Sequence, residues 1–75
     1  QQKQQGERKQ ELIEKRAKSA ESLEEINQRL EIIRGEPGGV KAHWGEWEEL
    51  RTQQAIIEQT IEGIDKRLER MEASE

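Results

Sequence analysis

Apolar residues in the second half of the chain recur at alternating steps of three and four positions. The series is Trp47, Leu50, Gln54, Ile57, Ile61, Ile64, Leu68 and Met71, and Gln54 is its one polar member. Such spacing is typical of the a and d positions of a heptad seam. Extending the register backwards adds Val40 and His43, so we predict a long helix over residues 40–73.

The first half of the chain carries a weaker version of the same pattern. Its seam positions are Leu12, Arg16, Ser19, Leu23, Ile26, Leu30 and Ile33, two of which are polar near the start. This spacing predicts a first helix over residues 8–34. The preceding Gln-rich residues 1–7 show no apolar pattern, and we predict that they form a flexible arm.

A cluster of helix-breaking residues separates the two patterns. Glycine and proline supply four of the five residues in the segment 35–39, which predicts a turn there, with Gly35 ending the first helix in the left-handed conformation. Two long helices joined by one tight turn predict an all-α fold: a two-helix antiparallel coiled-coil hairpin.

The two predicted helices are unequal partners. In the antiparallel register, Ser19 falls opposite Ile57 and Arg16 opposite Ile61, so the most apolar part of the second helix faces the most polar part of the first. A chain of 75 residues forms only a small hydrophobic core, so it needs most of its apolar side chains to be buried. We therefore expect hairpins to dimerise into a four-helix bundle. The expected oligomer interface comprises Trp47, Leu50, Ile57, Ile61, Ile64, Leu68, Met71, Leu23, Ile26, Leu30 and Ile33.

Composition alone permits either disorder or long helices, and the spacing of the apolar residues favours helices. Only 29% of the residues are hydrophobic and 40% are charged, which approaches the composition of disordered chains. However, Ala, Glu, Lys, Leu and Arg make up 39 of the 75 residues, a share typical of coiled coils. The net charge of −4 is uneven, because residues 1–20 carry +3 and residues 21–75 carry −7. In a hairpin these opposite charges lie side by side and attract.

Several function classes find no support in the residues. The sequence has no cysteine, no phosphate-binding glycine loop and no nucleophile beside a base. We therefore expect no enzymatic activity, cofactor or metal site. No apolar run suits a signal peptide or a membrane span. The residues do not indicate a cellular compartment. Since position 1 is Gln rather than Met, we expect the chain to be a segment of a longer protein.

The tryptophans suggest an alternative to self-assembly. Trp44 and Trp47 are the chain's only aromatic residues apart from His43, and tryptophan is enriched at the centres of protein interfaces. The alternative function is a small regulatory adaptor or inhibitor that binds a heterologous helix through Trp44, Ile32 and the Ile56–Ile57 region. His43 is expected to pack at the tip of the hairpin.

A basic stretch near the start leaves a third possibility open. Arg8, Lys9, Lys15, Arg16 and Lys18 form a patch that resembles a contact for phosphate charge. An RNA-binding dimer of helical hairpins is thus a third hypothesis. It is less favoured, since the neighbouring helix is acidic and no aromatic residue interleaves with the basic ones.

Overall fold

The chain folds as a helical hairpin. The structure is a computed structural model that describes the backbone of residues 2–73 and the side chains of residues 6–73. It contains helix α1 (Gln2–Gly35), the single turn α2 (Gly39–Ala42) and helix α3 (Trp44–Ala73), and these described residues include no strand. Helices α1 and α3 pack side by side in a body of 56 × 14 × 14 Å. The predicted all-α class and helical hairpin are confirmed.

Helix α1 is longer than the sequence pattern predicts. It begins at Gln2 instead of residue 8, so the backbone of residues 2–7 is helical where a flexible arm was predicted; residue 1 lies outside the described residues. Gln, Lys and Glu are good helix formers even without an apolar pattern, and they supply five of the six residues 2–7, with Gly6 the exception. Intrinsic propensity therefore extends the helix beyond the part that the seam specifies.

The turn between α1 and α3 depends on two glycines. Gly39 N–H donates to the Glu36 carbonyl at 2.9 Å, closing a four-residue turn with Pro37 second and Gly38 third. Gly38 has φ 84° and ψ −16°, the values of the third residue of a type II turn. Positive φ occurs at Gly38 and Gly39, so the prediction of a left-handed Gly35 is wrong. Gly35 remains in α1 because the chain reverses three residues later.

The predicted helix over residues 40–73 is interrupted at His43. There φ is −122° and ψ is 33°, and α2 ends because the His43 N–H bonds to the Val40 carbonyl at 3.2 Å. Helix α3 starts anew, with the Trp47 N–H donating to the His43 carbonyl at 2.9 Å. The interruption follows from the turn: Gly39 is left-handed, and one short turn of helix redirects the chain towards α1 before α3 begins.

Replacing Gly38 by alanine is expected to destabilise the hairpin. A Cβ at this position would lie 2.6 Å from the Ala42 Cβ, and positive φ costs an L-residue about 1–2 kcal/mol. We expect the free energy of unfolding in urea, followed by helical circular dichroism, to fall by about 2 kcal/mol. Gly45→Ala is the matched control, since a Cβ there meets nothing within 4 Å; an equal loss in both variants would contradict this account of the turn.

The hydrophobic core is small and lies between α1 and α3. Among the described residues, the buried hydrophobic side chains are Ile26, Leu30, Ile33 and Ile64. Three of the four lie in the last third of α1, near the turn. Packing is therefore concentrated where the sequence predicted the best match between the helices, and it is thinner towards the open end.

Neither long helix resembles a membrane span. Of the helices in residues 2–73, none combines the length and the apolar character that crossing a bilayer requires.

Candidate interaction surfaces

One long side of the hairpin is closed by ion pairs between the helices. Arg16 Nε donates to Asp65 Oδ1 at 2.6 Å, and its Nη2 reaches Oδ2 at 3.4 Å. The hydrogen bond to Asp65 is the larger cause, and the negative charge of Asp65 the smaller cause, of the raised pKa of Arg16. Nearer the open end, Lys9 Nζ lies 3.9 Å from Glu72 Oε1. Arg16 thus occupies a seam position without burying its charge, because its long side chain reaches a carboxylate at the edge.

The same side carries polar and aromatic contacts towards the turn. Gln54 Nε2 donates to Asn27 Oδ1 at 2.7 Å, which accounts for a polar residue in the α3 seam. The Arg34 guanidinium lies 5.5 Å from the centre of the Trp47 ring, within cation–π range. We call this side, lined by the pairs Lys9–Glu72, Arg16–Asp65, Asn27–Gln54 and Arg34–Trp47, the paired face.

Polar contacts also tie the turn to both helices. Arg29 donates through Nε to Glu46 Oε1 and lies 3.8 Å from Glu36 Oε1. The other Glu36 oxygen lies 2.9 Å from His43 Nε2, so the half-buried His43 packs at the tip. No group of three or more His, Asp or Glu side chains in residues 6–73 is placed to hold a metal ion.

Removing the Glu46 carboxylate is expected to change stability in a pH-dependent way. The hydrogen bond from Arg29 lowers the pKa of Glu46. A lowered folded-state pKa contributes stability above the unfolded-state pKa, and this contribution is lost as pH falls through the folded value. We expect Glu46→Gln to lower the urea midpoint slightly at neutral pH and to match the native chain once the pH lies below the lowered pKa of Glu46. A constant difference between the two proteins would contradict the ion pair.

The opposite side of the hairpin is open and contains two grooves between the helices. One, near the open end, has a volume of about 540 Å³ and is lined by Arg8, Glu11, Leu12, Lys15, Arg67, Arg70 and Met71. The other, nearer the middle, has a volume of about 360 Å³ and is lined by Ser22, Glu25, Ile26, Gln53, Ile56 and Ile57. The first is basic and the second is more apolar.

Both grooves lie on the same side of the molecule. Lys15 and Ser22 are seven residues apart on α1, and Gln53 and Arg67 are fourteen apart on α3. These separations are close to whole numbers of helical turns. Residues at the same helical spacing form a stripe along each helix. Continuing the α3 stripe places Gly63 between the two grooves. Continuing both stripes places the Arg29–Glu46 pair at the end of this side nearest the turn. We call this side, from Arg8 and Arg70 to Arg29 and Glu46, the open face.

The predicted partner-binding residues do not form one patch. Trp44 is exposed and lies on the α3 stripe of Asp65 and Glu72, so it belongs to the paired face. Ile56 lies in the central groove of the open face. Exposed Ile32 shares the α1 stripe of Glu25, which is also on the open face. The structure therefore brings Ile32 and Ile56 to one side and Trp44 to another.

The predicted nucleic-acid patch is divided in the same way. Lys9 and Arg16 are paired with acidic residues of α3. Arg8 and Lys15 line the basic groove, and Lys18 lies on the same open face. Arg67 and Arg70 also line this groove and were not among the predicted basic residues. Each lies fourteen residues after Gln53 or Ile56 of the open face, and this spacing was the available indication.

The predicted oligomer-interface residues lie along the line where the two helices meet. Ile26, Leu30, Ile33 and Ile64 are buried within the hairpin itself. The others remain half-buried and accessible: Leu23, Trp47, Leu50, Ile57, Ile61, Leu68 and Met71. Of these, Met71 and Ile57 line the grooves of the open face.

Comparisons with protein-family models, with curated proteins and with solved structures yield no match for this chain.

Proposed function

We propose that this chain is a non-catalytic assembly module, in which coiled-coil hairpins dimerise into a four-helix bundle and so hold longer chains together. The proposal belongs to the class of structural, protein-binding functions. Its mechanism is the burial of apolar surface between copies, without any chemical turnover.

One observation carries this proposal: the single hairpin leaves large apolar side chains accessible to solvent. Seven of the predicted seam residues are only half-buried, and Ile13, Ile32, Trp44 and Ile56 are exposed large hydrophobic side chains. Complete burial of one fully exposed large apolar side chain stabilises by about 1.5–3 kcal/mol. A small domain has a total stability of about 5–15 kcal/mol, so covering Ile32 and Ile56, the two exposed side chains on the open face, is worth a substantial part of the stability available.

The concentration dependence of thermal unfolding tests the proposal. Association stabilises the folded state by mass action, so an oligomer melts at a higher temperature when it is more concentrated. We expect Tm to rise steadily as the chain concentration is increased a hundredfold. A Tm that stays constant over this range is the behaviour of a monomer and would refute the proposal.

Exposed Trp44 favours a second candidate function, a regulatory adaptor that binds a heterologous helix. A shallow groove of about 620 Å³ runs beside it, lined by Trp44, Gly45, Trp47, Glu48, Glu49, Arg51 and Thr52. Tryptophan supplies large apolar contact area at interfaces. Trp44 itself lies on the paired face, so its ring can stay accessible when the open face, which includes Glu49 at the edge of this groove, is covered.

Trp44→Ala is therefore expected to leave self-association intact. We expect the Kd for dimerisation, measured by sedimentation, to change by less than about twofold, because exposed residues outside an interface contribute little. A tenfold weaker dimer would instead place Trp44 in the homo-oligomer interface. It would also remove the adaptor function as a separate use of that surface.

A further inference from the structure

We infer that the open face binds the open face of a second copy, with the two hairpins antiparallel so that the turn of each lies beside the open end of the other. This inference rests on the proposed assembly function and specifies its surface and orientation. The occupant of the grooves is thus a second molecule of this chain.

On the open face of α3, residues of opposite charge lie at equal distances on either side of one central position. Two antiparallel copies of α3 would therefore bring opposite charges together. Position 58 is the centre of this symmetry: Glu49 and Arg67 each lie nine residues from it, on opposite sides. The uncharged Gln53 and Gly63 lie five residues away, and Ile56 and Thr60 lie two residues away. Turning a second α3 around this centre therefore sets each Arg67 opposite Glu49 of the second copy.

Helix α1 repeats the arrangement with the same spacings. Its centre is position 20, from which Lys15 and Glu25 each lie five residues away. Glu11 and Arg29 lie nine residues away and also carry opposite charges. An antiparallel second copy consequently sets Lys15 opposite Glu25 of the second copy.

The two centres lie at the same level of the hairpin. In antiparallel helices, residues at the same level along the hairpin have a constant sum of residue numbers. That sum is 75 for Arg29–Glu46 on the open face and 81 for Arg16–Asp65 on the paired face. Positions 20 and 58 total 78, midway between these values. One two-fold axis therefore serves both helices, as a closed, isologous dimer requires.

The residues that would pair between copies are available for it. Lys15, Glu25, Glu49 and Arg67 take part in none of the ion pairs found within the described residues. Lys15 and Arg67 line the basic groove, and Glu25 lines the more apolar one. A parallel arrangement is disfavoured, because it brings the basic open ends of both copies together, and like charges repel.

Size and shape also suit a second copy. A body of 56 × 14 × 14 Å offers roughly 800 Å² on one long side, the area that each partner contributes to a standard interface. Exposed Ile56 lies close to the centre of the face, and Gly63 presents no side chain there. Apolar contact at the centre with charges around it is the usual anatomy of an interface.

The experiment is a charge exchange between two single variants, Arg67→Glu and Glu49→Arg. Each variant alone places like charges opposite each other twice per dimer, and we expect its Kd for self-association to rise roughly tenfold or more. In a mixture, the heterodimer regains opposite charges at both contacts. Native mass spectrometry should therefore find mostly heterodimer, well above the one half expected for random exchange.

Arg51→Glu and Glu48→Arg are the matched controls. They change the net charge equally but lie off the open face, so their mixture should give random exchange. Random exchange in the Arg67→Glu and Glu49→Arg mixture, or an equal preference in the control mixture, would overturn the antiparallel arrangement.

Single cysteines locate the interface independently, since the chain has no cysteine of its own. A short bis-maleimide should link Ile56→Cys dimers but not Ile13→Cys dimers, because Ile13 lies fourteen residues before Asn27 on α1 and therefore on the paired face. The reverse result in a dimeric chain would overturn this inference and leave the proposed function standing. A native chain that is monomeric at all concentrations would refute both.

Discussion

Replacing Ile33 by alanine is expected to lower the free energy of unfolding by about 3–4 kcal/mol. Ile33 is the one fully buried large side chain of the described residues, with 0% of its surface exposed. Truncating a buried isoleucine to alanine costs about 2–5 kcal/mol, because apolar burial is lost and a cavity remains. Ile33 lies where α1 meets the turn, so the surrounding backbone is held in place and has little freedom to fill the space. Urea unfolding followed by circular dichroism measures the effect.

The neighbouring Ile32→Ala is the matched control. It removes the same atoms, but Ile32 is 53% exposed. We expect a loss below about 1 kcal/mol, the range for surface substitutions. Equal losses at both positions would mean that the core does not lie between α1 and α3 as described.

Replacing Ile56 by aspartate is expected to abolish self-association while leaving the hairpin helical. Ile56 is 58% exposed in the single hairpin, so a charge there is solvated and costs little in the monomer. In the dimer the substitution removes two apolar side chains near the centre and sets two carboxylates close together. We expect Kd to rise by at least about a hundredfold, the effect of losing a central interface residue in both copies.

Ile13→Asp provides the comparison for this effect. Ile13 is 43% exposed and lies on the paired face, so the same chemical change should leave Kd nearly unaltered. Sedimentation velocity at several concentrations measures both variants. If Ile13→Asp dissociates the assembly and Ile56→Asp does not, the interface lies on the paired face.

The sequence pattern predicted the architecture because it is set by local spacing. The heptad steps of α3 and the glycine-rich segment were sufficient to predict two helices and one reversal. The break at His43 was not predictable in this way, because no helix-breaking residue stands there. It arises from the geometry needed after the left-handed Gly39, which depends on how the turn meets α1.

The two faces were harder to predict than the helices. Periodicity assigned Trp44 and Ile56 to one partner surface because both flank the α3 seam, yet they lie on opposite flanks. The sequence pattern placed the charged Arg16 at a position of the apolar seam. In the structure, Arg16 forms an ion pair with Asp65 at the edge of the helix–helix contact. Both outcomes depend on the register between α1 and α3, which cross-helix contacts reveal and the pattern within one helix does not.

The measurement that tests the central claim most directly is the mass of the native chain in solution. Sedimentation equilibrium over a wide concentration range should show a reversible shift from the 8.8 kDa of one chain to twice that mass, with no larger species, because a two-fold dimer is closed. A single species of 8.8 kDa at every concentration would contradict the assembly function. Continued growth beyond the dimer would contradict the antiparallel two-fold arrangement.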